Sequence, residues 1–115
     1  MRAILSKLNR TPGVMGSMIV NRDGVVVASE LADELDENGL GAVSSSVLAA
    51  LEGALTRLNM GKLSRFVISG SESKLALVDA GPAMLLVVLK RDVNLGLVNV
   101  ELKTAAVDLA QKAKF

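Results

Sequence analysis

Ala83-Met84-Leu85-Leu86-Val87-Val88-Leu89 is apolar at every position. A strand that faces water on one side alternates apolar and polar residues, whereas a strand covered on both faces does not. The run therefore predicts a central strand with neighbours on each side. Asp79-Ala80-Gly81-Pro82 before it reads as a turn, which makes Leu75–Val78 its short hairpin partner. Further upstream, Gly70-Ser71-Glu72-Ser73-Lys74 is another turn and Ser64–Ser69 another strand. Phe66 and Ile68 share one face of it, Arg65 and Val67 the other. Downstream, residues 95–113 place Leu95, Val98, Leu102, Ala105, Ala106 and Leu109 on one helical face. Lys112 and Lys114 stand at its C-terminal end, where cations suit the helix dipole.

The first half of the chain supplies the other neighbours. Ile4, Leu5 and Leu8 have helical spacing, and Thr11-Pro12-Gly13 stops that helix. Val14–Val20 reads as a strand, Asn21-Arg22-Asp23-Gly24 as a tight turn and Val25–Ser29 as the return strand. Residues 30–41 then carry five acids within eight positions: Glu30, Asp33, Glu34, Asp36 and Glu37. This is a connecting loop, either simply solvated and favouring the next helix through its dipole, or a contact for a basic partner surface.

Residues 42–60 form the longest helix candidate. Val43, Val47, Leu51, Ala54 and Leu58 give its core face, widened by Leu48 and Leu55. The opposite face is small, with Ser45, Ala49 and Gly53 at four-residue intervals and Ala42 and Ser46 beside them. Such a face either fills an exposed helix or admits a second helix at close range. The whole chain, 1–115, reads as one α+β domain in the order α-β-β-α-β-β-β-α, with a five-stranded, mostly antiparallel sheet covered by helices.

Composition narrows the function. The 115 residues include 13 Lys and Arg against 12 Asp and Glu, so there is no electrostatic reason to expect nucleic acid. There is no Cys, His, Trp or Tyr, which removes thiolate zinc sites, imidazole bases and Ser-His-Asp or Cys-His pairs. The absence of cysteine suits the cytoplasm. No uninterrupted apolar run approaches the roughly 20 residues of a membrane span, and Lys7, Asn9 and Arg10 interrupt any signal-peptide core. Yet half of the residues are hydrophobic, and a small domain has limited interior. A subunit interface is the expected destination of the excess.

Nucleotide motifs fail on inspection. At Gly61-Lys62, Leu63 stands where a P-loop needs Ser or Thr for magnesium, and Thr56 where it needs its first glycine. Gly13, Gly16 and Gly24 lie in a strand and a hairpin turn, not in a strand-to-helix turn. Asp23, Asp79 and Asp92 read as turn or helix-start residues, and no cofactor or metal is expected.

Three segments in order resemble the Roadblock family, which includes dynein light chains and MglB-type regulators. Gly13–Val20 followed by Arg22-Asp23-Gly24 and Val27-Ala28-Ser29 is similar to its first hairpin. Ala83–Leu89 is similar to its last strand, and Asp92–Val98 with Glu101-Leu102 to the opening of its final helix. The resemblance implies dimers that join edge strands and pair central helices, here strand 64–69 and helix 42–60. Ser45, Ala49, Gly53, Phe66 and Ile68 are then the expected dimer contacts. It also implies a Ras-like small GTPase as partner, bound through Ser46, Glu52, Thr56 and Arg57, with Asp36 and Glu37 steering, and modulation of GTP hydrolysis. No long tail of the kind some bacterial members carry follows the final helix, so full GTPase activation is not expected. The competing reading is a purely structural scaffold subunit of dynein light-chain or lysosomal type. A carboxylate-and-lysine hydrolase is the third.

Overall fold

The computed structural model describes residues 2–112. The elements are α1 (Arg2–Asn9), β1 (Val14–Asn21), β2 (Val26–Leu31), α2 (Glu37–Arg57), β3 (Arg65–Ser69), β4 (Ser73–Ala80), β5 (Ala83–Lys90) and α3 (Leu95–Lys112). This is the order expected from the sequence. Lys114 lies outside the described residues.

The strands form one sheet in the order β2-β1-β5-β4-β3, and every neighbouring pair is antiparallel. The all-apolar run is the middle strand: Leu85 faces Ile19 of β1 on one side and Val78 of β4 on the other. Its side chains alternate between two cores. Leu85, Val87 and Leu89 pack with Leu5 and Leu8 of α1 and Val98, Leu102 and Leu109 of α3. Met84 and Leu86 pack on the opposite face with Met18, Val20, Leu77 and Leu48 of α2. Each such side chain removed from water contributes about 1.5–3 kcal/mol, so this one strand ties both layers together.

Several boundaries differ from the sequence reading: β2 runs past Ser29 to Leu31, over the first residues read as loop, and α2 ends at Arg57, short of 60. β4 is longer than Leu75–Val78 because the turn after it tightens to Gly81-Pro82. Gly81 adopts φ +83°, and Ala80 pairs with Ala83. Asp79 is consequently a strand residue, although its carboxylate still accepts the Gly81 N–H at 3.1 Å.

The larger difference is at α2, which starts at Glu37 rather than 42. Gly39 and Gly41 each disfavour a helix by about 1 kcal/mol relative to alanine, which hid the first turns. Tertiary contact reverses this preference. A Cβ on Gly41 would stand 2.8 Å from the carbonyl oxygen of Gly24, and one on Gly24 2.7 Å from Cβ of Ser45. Gly24 also needs its positive φ of 85° for the hairpin turn. The two glycines let the helix lie directly on that turn.

The same contact rotates the helix. Its core side is Gly41, Ser44 and Leu48, with Leu40, Leu51 and Leu55 packed beside them. Val43 and Leu58, expected inside, are 51% and 67% exposed. Ser44 tolerates burial because its hydroxyl donates to the Leu40 carbonyl at 2.6 Å.

Candidate protein interaction surface

The rotation leaves α2 with an unusual outer face. Ala42, Val43, Ser46, Ala49, Ala50 and Arg57 are exposed and Gly53 is half-buried. Arg57 is the only cation on the helix, and it makes no ion pair among the described residues. A solvent-facing helix normally carries long polar side chains, but over six helical turns this one offers mainly methyl groups and backbone. By length and composition α2 could cross a membrane, and only 17% of its most apolar stretch is buried. The chain exposes 6522 Å² in total, above the roughly 6,000 Å² expected for a folded protein of this mass.

Beside this face the sheet ends in β3, which pairs only with β4. Phe66 is half-buried against the α2-side core, and Ile68 on the same face is 42% exposed. The edge strand and the helix thus present apolar side chains to the same side of the sheet. Leu58 and Met60 extend that surface past the end of the helix, a feature hidden while Leu58 was read as core.

The individual site residues divide. Ala49 lies on the open face. Ser45 does not: it is half-buried against the hairpin turn at Gly24. Ser46, Thr56 and Arg57 are exposed, with the Thr56 hydroxyl bonded back to the Glu52 carbonyl at 2.9 Å. Glu52 is engaged within the chain. Arg22 reaches it at 3.4 Å and reaches Asp79 at 2.9 Å, so one guanidinium ties the first hairpin to both α2 and β4. Nothing in the local sequence signals this, because the partners lie 30 and 57 residues from Arg22.

At the other end of α2, Glu37 accepts a hydrogen bond from the Ser29 hydroxyl, and Asp36 is the exposed N-cap residue. Asp36 and Arg57 are separated by about 30 Å of helix, so they cannot act on the same few atoms of a ligand. Among the described residues no group of His, Cys, Asp or Glu could hold a metal ion. Gly61-Lys62 leads into a strand, where no helix N-terminus is available to receive a phosphate. A cleft of about 420 Å³ lies there, between Glu52, Thr56, Asn59, Lys62 and Leu63. The surface presents small and apolar groups suited to contact with a protein.

Comparison with known proteins agrees with this geometry. Residues 2–90 match the family model described as Roadblock/LC7 domain. The chain is 40% identical over 103 residues to the uncharacterized protein MJ0310 of Methanocaldococcus jannaschii, covering 90% of both. The gliding protein MglB of Thermus thermophilus superposes with a TM-score of 0.87 at 24% identity, over 97% of this chain and 87% of that one. A Roadblock/LC7 domain from Streptomyces avermitilis gives 0.89 at 18% identity, covering 97% and 96%.

Proposed function

The chain belongs to the Roadblock/LC7 family, and from that premise we propose that it is a homodimeric, cytoplasmic platform for a Ras-like small GTPase, with residues 1–115 acting as one domain. The observation that carries the reading is the outer face of α2, apolar and small, lying beside an open sheet edge. In a dimer of the family type, β3 continues the sheet into a second copy, and the two α2 helices pack at Ala49 and Gly53. Phe66 and Ile68 close the space beneath them. Specific interfaces bury about 800 Å² per partner, and exposed Ala42, Val43, Ala49, Ala50 and Ile68 support an interface on this side. Small residues favour a helix neighbour over a bilayer, because they let two backbones approach closely.

The paired helices form the platform on which the GTPase sits. Ser46, Thr56 and Arg57 border it, Glu52 is held in place there by Arg22, and Asp36 with Glu37 steers a basic partner surface. Catalysis, where GTP hydrolysis is modulated, belongs to the GTPase. This chain offers no phosphate cradle and is expected not to bind GTP and magnesium in calorimetry.

The test is binding to a Ras-like GTPase of the same organism, loaded with GDP or with a non-hydrolysable GTP analogue. Preference for one state is expected, and Arg57→Glu should weaken binding about tenfold, or 1.4 kcal/mol, with the dimer intact by sedimentation. Unchanged binding by the variant would remove the α2 platform. Equal affinity for both states would make the protein a scaffold, since a ligand that binds two states equally cannot shift their balance.

A further inference from the structure

We propose a second docking surface on the opposite face of the sheet: the groove between α3 and the edge strand β3, fitted to an acidic, aliphatic-rich segment of a partner protein. The groove has a volume of about 390 Å³ and lies wholly within one chain. Val78 of β4 forms its floor, and Leu102, Ala106 and Val107 of α3 form one wall. Strand alternation puts Arg65, Val67 and Ser69 on this side, because Phe66 packs into the α2-side core. The outer rim is therefore β3, whose face here no helix of this chain covers and whose edge adjoins the second copy in the proposed dimer. Val107 is exposed on the α3 wall, and Val67 is exposed on β3, next along the same strand face as Arg65.

Charge selects the occupant. Arg65 and Lys103 line the groove. Lys74 shares their sheet face, opposite Ser69, and its Nζ lies 3.4 Å from the Ser69 hydroxyl. None of these three cations makes an ion pair among the described residues. Asp79, the one acid lining the groove, is already held by Arg22 at 2.9 Å. The acids of α3, Glu101 and Asp108, line its other flank, beside Ile4 and Lys7 of α1. One flank of α3 is thus acidic and closed by α1, while the other is basic and open. An apolar wall between free cations matches carboxylates interspersed with aliphatic side chains. The concave shape disfavours a flat bilayer, and no aromatic side chain lines the groove for base stacking.

The probe is a fluorescein-labelled peptide of three Glu-Leu-Leu-Glu repeats, with the same peptide carrying lysine for glutamate as control. Anisotropy should show binding of the acidic peptide only, weakening as salt rises. Amide shifts should map to β3 and α3. Arg65→Glu combined with Lys103→Glu should lower affinity at least tenfold, and Val107→Asp should lower it without changing the cations. All three positions are exposed, so the fold should survive, as circular dichroism will check. Arg57→Glu, on the other face and with the dimer intact, should leave peptide binding unchanged, which separates this inference from the α2 platform. Equal binding of both peptides, no binding of either, shifts confined to α2, or unchanged binding by the double variant would each overturn it. So would an oligothymidylate or phosphatidylserine vesicles that use the same cations and displace the peptide.

Discussion

The two long helices cover opposite faces of one sheet and are held in different ways. α3 buries five side chains over 18 residues: Val98, Leu102, Ala105, Ala106 and Leu109. α2 is longer, with 21 residues, yet buries only Gly41, Ser44 and Leu48. The first is attached by aliphatic bulk. The second is attached by close backbone approach at a hairpin turn, and much of its apolar surface is left outward. Both helices leave aliphatic side chains outward, Leu97, Val100 and Val107 on α3 and Val43 on α2, but only α2 rests on the sheet through glycines and carries alanines along its outer face.

The largest test of this contrast is core truncation. Leu102→Ala should cost about 2–5 kcal/mol in chemical denaturation, whereas Val43→Ala, equally apolar but on the outer face of α2, should leave the monomer's stability within about 0.5 kcal/mol. Comparable losses for the two would mean that α2 is held by its outer residues after all. Next is Ala49→Arg. The dimer should dissociate at micromolar concentration in sedimentation velocity, with the monomer's denaturation midpoint little changed, because Ala49 touches no core. A monomeric parent protein would remove the premise.

Gly24→Ala tests the glycine attachment. Positive φ and the approach of Ser45 should together cost about 1–3 kcal/mol, and amide exchange should quicken first in α2. Smallest is Arg22→Ala. Its ion pairs with Glu52 and Asp79 are partly exposed, so the loss should stay under about 1 kcal/mol and shrink further in high salt. A larger loss would show that the guanidinium, rather than the glycines, fixes α2 to the sheet.

The sequence made one helix legible and obscured the other. In α3 Leu95, Val98, Leu102 and Leu109 share one helical face with Ala105 and Ala106, and five of these six are buried as read, although Leu97, Val100 and Val107 are exposed. In α2 the small residues and the aliphatic ones are both apolar, and periodicity alone allowed several rotations. What decides between them is the contact of Gly41 with Gly24, seventeen residues apart and visible only once folded. The β5 run was readable because no alternation left no solvent face to assign. The edge position of β3 was readable only through the family resemblance. The links from Arg22 to Glu52 and Asp79 had no local trace, since exposed charged residues look alike in sequence whether paired or free.

The strand that completes the sheet is also nearly the last to be made. Ile19 pairs with Leu85, sixty-six residues downstream. During synthesis the first hairpin must therefore wait, with the inner edge of β1 open, until most of the chain exists. Loop-closure entropy is spent before any β1–β5 contact returns it. Met18, Ile19 and Val20 stay exposed in that interval, which makes the nascent N-terminal half the aggregation-prone part of the molecule. Supplying the segment from 83 onward as a separate fragment should rescue the solubility of a truncated 1–82 chain, by filling the slot that β5 occupies.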